Sequence, residues 1–219
     1  LSHPLFFRMS SVAQETITSN VITLKGSTAI VKEFFNYSVN SILYQRGIYA
    51  PESFNRVKNY GLTMMVTTDE TLSAYMNNIL RQLEVWLMNG SVQKLILVVK
   101  GSESGETLER WVFDVECKLK DVDSAEAAAA ISDKPAKEVT QEIQAIIRQI
   151  TASVTFLPLL NEPACFDLLV YADKQATVPV TWEDSDPCFI ANSEQVKLRS
   201  FDTKIHKVDL MVSYKVDDE

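Results

Sequence analysis

Apolar positions along this chain change period several times, and each change marks a boundary between elements. From Ser27 to Tyr44 they fall at Val31, Phe34, Phe35, Val39, Ile42 and Leu43, the spacing that draws one stripe along a helix. Ser27 after Gly26 predicts the N-cap, and Gly47 the stop. A second stripe of Leu72, Met76, Ile79, Leu80, Leu83, Trp86 and Leu87 predicts a helix over 69–88. Thr67 and Glu70 have capping-box spacing at its start, and Asn89 with Gly90 supplies a left-handed exit. The period then shortens. Residues 95–99 are an unbroken apolar run, the mark of a strand covered on both faces. Gly101 and Gly105 bracket a hairpin turn. Beyond it Trp111, Phe113, Val115 and Cys117 alternate with Arg110, Val112, Asp114 and Glu116.

A third helical stripe, Val139, Ile143, Ile146, Ile147, Ile150 and Val154, begins after Pro135 and stops before Pro158. A short strand is predicted over 165–171. The last fifty residues carry no helical stripe: Val196 and Leu198 alternate, and then Val208, Leu210, Val212, Tyr214 and Val216. Residues 118–134, which include four consecutive alanines, read as a mobile loop, and 1–20 as a flexible leader outside the fold. Three helices, a central hairpin and a β-rich tail make an α+β fold in one domain over about 21–216. The helices are expected to cover one face of a largely antiparallel sheet.

Composition narrows the chemistry. Net charge is −8, which argues against nucleic acid or an anionic membrane as partner. No apolar stretch approaches the ~20 residues a membrane-spanning helix needs. Three cysteines, Cys117, Cys165 and Cys188, lie far apart without CxxC spacing and read as reduced thiols. Neither a phosphate-binding glycine motif nor HExxH occurs. Only His3 and His206 could serve a nucleophile as base, and His206 has no nucleophile elbow to serve. No enzyme, no cofactor and no metal is expected. The edge strand at 165–171 instead invites an extended peptide. Phe166, Leu168 and Val170 share one of its faces, and Asp167, Leu169 and Tyr171 the other.

Specific strings add a resemblance. They are Ser41-Ile-Leu-Tyr-Gln-Arg-Gly-Ile-Tyr49, Tyr60-Gly-Leu-Thr63, Val66-Thr-Thr-Asp69, Ser91-Val-Gln-Lys-Leu95 and Leu108-Glu-Arg-Trp111. Ile147-Arg-Gln-Ile-Thr-Ala152, Val154-Thr-Phe-Leu-Pro-Leu-Leu160, Leu198-Arg-Ser-Phe201 and Ile205-His-Lys-Val208 continue the series. In this order and spacing, over 21–216, they resemble the HORMA-domain spindle-checkpoint family. The resemblance implies a protein without enzymatic activity that delays anaphase. Its core would span about 21–171, and its C-terminal segment, about 172–216, would be a mobile β "safety belt". That belt pairs with one edge of the sheet in an open form, or moves to the other edge and traps a peptide in a closed form.

The implied partners are a kinetochore-anchored coiled-coil protein (mitotic arrest deficient protein one) and the propeller-type activator of the anaphase-promoting complex. A kinase-like scaffold of the checkpoint complex and a comet-type HORMA adaptor with its remodelling AAA+ ATPase complete the set. The implied setting is nucleus and cytoplasm, with kinetochores in mitosis. For peptide binding the expected residues are Phe166, Leu168, Leu169, Val170, Tyr171 and Trp86, with His206, Val208, Leu210, Val212 and Tyr214 of the tail. Arg148, Gln149, Thr155 and Phe156 would form the surface through which open and closed copies dimerise. From pattern alone Arg148 is a solvated helical arginine; the resemblance makes it an interface residue. The alternative is a constitutive HORMA accessory subunit of another chromosome-associated complex.

Overall fold

The computed structural model describes residues 22–119 and 134–216. The leader at 1–20 and nearly all of the alanine-rich loop expected at 118–134 lie outside the described residues. Helix α1 runs Leu24–Gln45, α2 Glu70–Met88 and α3 Ala136–Ala152. Strands β1 (Phe54–Asn59) and β2 (Leu62–Thr67) make a separate hairpin. Strands β3 (Val92–Gly101), β4 (Thr107–Cys117), β5 (Ala164–Ala172), β6 (Ser193–Asp202) and β7 (His206–Lys215) form one antiparallel sheet in the order β5-β3-β4-β7-β6.

The helices bury their stripes on one face of that sheet. Phe34 and Phe35 of α1 meet Phe113 of β4 edge-on at 6.0 and 5.3 Å, and Phe34 meets Phe201 of β6 at 4.8 Å. Such contacts add roughly 0.5–1.5 kcal/mol each beyond the area they bury. The opposite face carries a smaller apolar cluster of Ile96, Val98, Val112 and Cys188, with Leu169 and Met211 against it.

Four expectations need correction. Thr23, not Ser27, caps α1: its hydroxyl accepts Gly26 N–H at 3.1 Å, and Ser27 lies one turn further in with no exposure. Asp69, not Thr67, caps α2 by accepting Leu72 N–H at 2.7 Å, while Thr67 Oγ1 accepts Asp69 N–H. Val154 leaves the α3 stripe because the helix tightens to 3-10 geometry at Ser153–Thr155, which turns Val154 outward and hands the core position to Leu157. The β1–β2 hairpin was not foreseen. Its signal is the Tyr60–Gly61 turn, both residues at positive φ (49° and 67°), the geometry that two-residue hairpin loops require.

One buried ion pair joins the layers. Arg46, just past α1, donates from Nε to Glu109 Oε1 at 2.6 Å and from its terminal nitrogen to Pro158 O at 2.5 Å. Trp111 Nε1 donates to the other carboxylate oxygen at 2.9 Å. Burial pushes the Glu109 carboxyl up, and the Arg46 charge opposes that.

Candidate functional site

Among the described residues, strand β5 is the last strand on its side of the sheet, and its outer backbone edge has no partner strand. Phe166, Leu168 and Val170, expected to share one face, lie on the side toward the helices. Leu168 belongs to the main core, and Phe166 and Val170 pack against it. Phe166 meets Tyr75 of α2 edge-on at 5.9 Å and Tyr49 at 6.2 Å. On the outer face Asp167 pairs with Lys100 at 2.9 Å, Leu169 packs on the smaller cluster, and Tyr171 is exposed.

The segment after β5 explains why this edge is not simply bare. Residues 173–192 begin on the helix side. Trp86 Nε1 donates to Thr177 O at 3.1 Å, and Trp182 meets Trp86 edge-on at 5.1 Å. By Cys188 the same segment has reached the opposite face, buried among Ile96, Val98 and Val112. Between these two anchors it passes the free edge of β5. Thr181, Trp182, Glu183, Asp184, Ser185 and Pro187 face residues 167–171 across a groove of about 880 Å³, and Tyr75, Asn78 and Ile79 of α2 close its inner end. The groove is long enough to follow five residues of strand, and no β-strand of the described chain fills it.

The tail residues foreseen for peptide binding are not brought to this groove. His206, Val208, Leu210 and Val212 lie on β7, separated from β5 by β4 and β3, and all are buried against the helix layer. Tyr214, further along the same strand, donates its hydroxyl to Glu194 at 2.6 Å. Alternation assigned these side chains a buried face correctly, but the face is the sheet's core face. Trp86 is also buried, and it holds the crossing segment through Trp182 instead of lining the groove. Tyr75, Asn78 and the 181–187 segment form walls that sequence reasoning missed. Tyr75 stands outside the α2 stripe, and nothing in the pattern of 181–187 shows what it will face.

His206 has a different role. It is fully buried, with Nδ1 at 2.7 Å from Ser27 Oγ and Nε2 at 3.2 Å from Leu87 O. The carbonyl can only accept, so Nε2 carries the proton and Nδ1 accepts from Ser27. Thr203 Oγ1 lies 2.6 Å from the same hydroxyl. The tail is thereby tied to the first turn of α1 and the last turn of α2. Burial holds the imidazole below its ordinary pKa of 6.5. A lowered folded-state value means that the unfolded chain takes up the proton first. The stabilisation is full above the unfolded pKa and is lost as pH falls toward the folded one. Thermal melts at pH 7.5 and 5.5 should show a lower midpoint at 5.5, and His206→Gln should remove that part of the difference.

At the end of α3, Arg148, Thr155 and Phe156 are exposed, together with Val154 and Leu159. Gln149 is already engaged: its Oε1 accepts Arg199 N–H of β6 at 2.7 Å. Among the described residues no group of three His, Cys, Asp or Glu side chains could hold a metal ion.

The sequence and fold have known counterparts. The HORMA domain family model matches residues 27–206. The mitotic spindle assembly checkpoint protein MAD2A of Dictyostelium discoideum is 58% identical over 198 residues, covering 90% of this chain and 95% of that protein. The Homo sapiens protein of the same name is 56% identical over 195 residues, covering 89% and 93%. A chain in the crystal structure of the mitotic checkpoint complex superposes with a TM-score of 0.77 at 50% identity, covering 87% of this chain and 99% of that one. With a family-model match over most of its length and relatives of this identity, the chain belongs to the HORMA domain family, in its mitotic spindle checkpoint branch.

Proposed function

We propose that this spindle-checkpoint protein works by enclosing an extended peptide of another protein between β5 and the segment at 173–192. The observation that carries the reading is the path of that segment, which leaves the sheet on the helix side and rejoins it on the other face around β5's free edge. A peptide laid along β5 gains backbone hydrogen bonds at every second residue and turns alternate side chains to opposite walls. Tyr75, Ile79, Leu168 and Val170 make the inner wall apolar, and Glu183 and Asp184 make the belt side acidic. A ligand that alternates apolar and basic residues suits both. With the tail on β4, at the opposite side of the sheet from β5, this is the closed arrangement. Binding is of low-micromolar affinity or tighter and slow, because the tail must leave before a guest can enter.

In this reading the guests are segments of the kinetochore-anchored coiled-coil protein and of the propeller-type activator. The exposed α3 end, with Arg148, Gln149, Thr155 and Phe156, serves the open–closed dimer and the scaffold and adaptor proteins of the checkpoint. The protein then acts at kinetochores in mitosis. Hydrogen exchange tests the enclosure. Overlapping 20-residue synthetic peptides covering the activator's sequence are added to the full chain. A bound peptide should slow exchange at alternate amides of Ala164–Ala172 by a hundredfold or more, roughly the protection of a formed ladder. Binding with no new protection there refutes the reading.

A second reading, the constitutive accessory subunit, draws on the burial of β7 between β4 and β6, which suits a permanently docked tail. Two chromatographically separable monomeric forms that interconvert favour the switch; one inert form favours the accessory role.

A further inference from the structure

The outer sheet face, away from the helices, carries a row of cations. Lys94, Lys100 and Lys207 face Asp114, Asp167 and Asp209 at 2.5, 2.9 and 2.8 Å, and Lys215 faces Glu106. Arg110, in the middle of β4, is the exception among them. It is 8% exposed, its Nε is buried without a hydrogen-bond partner, and no carboxylate of the described residues pairs with it. Its strand neighbours across the ladder are Val98 and Ser213, and the Ser213 hydroxyl is likewise buried and unpartnered. What lies over the guanidinium is the ring of Phe189, 4.6 Å from it.

Phe189 is otherwise 72% exposed, an unusual place for a phenyl ring in a segment that has just crossed the sheet edge. The residue before it, Cys188, has φ of 52°, a left-handed backbone that only surrounding contacts maintain for a side chain with a Cβ. Asp186 supports the bend by accepting Cys188 N–H at 2.7 Å. The bend drives the Cys188 thiol into the Ile96, Val98 and Val112 cluster and lays Phe189 across Arg110.

We propose that Arg110 and Phe189 form the latch that fastens the crossing segment to the outer face. A cation over a ring is worth most when the cation is stripped of water and has no anion to compete for it. Both conditions hold at Arg110 and at none of the lysines around it. Leaving the arginine unpaired makes its attachment to the ring the main compensation for its burial. Removing the ring therefore loosens the segment and also exposes the charge to water. The latch rests on the enclosure reading for its purpose, and both are positioning residues that touch no guest.

Cys188 reports on the latch directly, with no peptide required. The full-length reduced protein is treated with N-ethylmaleimide, and modification of Cys188, Cys165 and Cys117 is followed by peptide mass spectrometry. Cys165 is exposed and reacts at once; Cys188 is buried and reacts only when the segment lifts. Phe189→Ala, Phe189→Leu and Arg110→Gln should each speed Cys188 labelling about tenfold, which corresponds to about 1.4 kcal/mol. Phe189→Trp, a better ring for the purpose, should leave the rate equal or slower. Wild-type labelling in Phe189→Leu or Arg110→Gln overturns the latch, since apolar bulk would then suffice. A parallel rise at Cys117 also overturns it, since the sheet itself would then be opening. Because no peptide enters this measurement, its failure leaves the enclosure reading standing, and the failure of enclosure leaves this result standing.

Discussion

A chain ending at His206 will release a bound peptide at least about a hundredfold faster than the full chain, because differences between related complexes fall mainly on dissociation. The structure gives the reason. Strand β7 pairs with β4 from Glu109↔Tyr214 to Cys117↔His206 and with β6 along its other edge. Without it, β6 loses its strand partner and keeps only contacts with side chains outside the sheet ladder, such as Phe201 with Phe34 of α1, Gln149 to Arg199 N–H and Glu142 to Asp202 N–H. The segment at 173–192 then keeps its hold on Trp86 and its Cys188 and Phe189 contacts on the outer face, but the strands that follow it no longer lock its far end into the sheet, and a strap loose at its far end opens readily. Val208, Leu210 and Val212 leave the core with β7, so the shortened chain is also less stable. Amide protection in β3 and β5 shows whether the remaining sheet is formed. Fluorescent-peptide dissociation, chased with unlabelled peptide, reads the effect. A truncated chain that keeps its guest as long as the intact one would end the enclosure mechanism.

Glu109→Ala is expected to destabilise the fold by roughly 3–5 kcal/mol, the usual consequence of leaving one member of a buried pair alone. The Arg46 and Glu109 side chains are only 3% and 2% exposed. Removing the carboxylate leaves a guanidinium held by Pro158 O and an indole N–H without an acceptor. Arg46→Ala should cost about as much by the mirror argument, since the carboxylate then keeps only Trp111. The double replacement Arg46→Met with Glu109→Leu should recover most of the loss, because two apolar side chains of similar volume need no partners. Urea unfolding of the four proteins provides the cycle. A pair whose single variants each lose under 1 kcal/mol would show that water reaches the site. The pair matters beyond stability because it joins the end of α1, the start of β4 and the chain leading from α3 toward β5. A guest strand would pull on that seam.

Much of this architecture was legible as period. The α2 stripe located the helix to within a residue, because seven apolar side chains at helical spacing admit one buried face. The two faces of β5 were legible for the same reason, since alternation at period two admits one division. The β1–β2 hairpin escaped because its strands are half-exposed and lack a clean alternation, which left Gly61 as the only signal. The cap of α1 was misread because a serine one turn inside a helix and a serine at its start look alike in sequence. The Thr23 cap on Gly26 N–H and the buried contact of Ser27 with His206 separate them.

The candidate site was half legible. Edge-strand logic singled out residues 166–171, most of which line the groove, whereas the tail residues named with them lie on β7, across β3 and β4. Val208, Leu210 and Val212 show why. Their alternation states that one face of the strand is buried, and says nothing about which strand lies beside it. Backbone hydrogen-bonding groups are the same in every strand, so β7 can satisfy them on β4 as well as on any other free edge. Side-chain packing decides among edges, through contacts as distant in sequence as His206 with Ser27 and Leu87.

The amino-acid sequence by itself determined the element types, the buried stripe of each helix and the α+β class. Those follow from local periodicity, which is a property of neighbours along the chain. Only the tertiary structure decided where the tail docks, that the preceding segment rounds the β5 edge, and that Arg110 lies under Phe189 with no carboxylate of the described residues paired to it. Each of these depends on residues tens of positions apart meeting in a folded core, where burial gives a long-range contact an energy that no local pattern encodes.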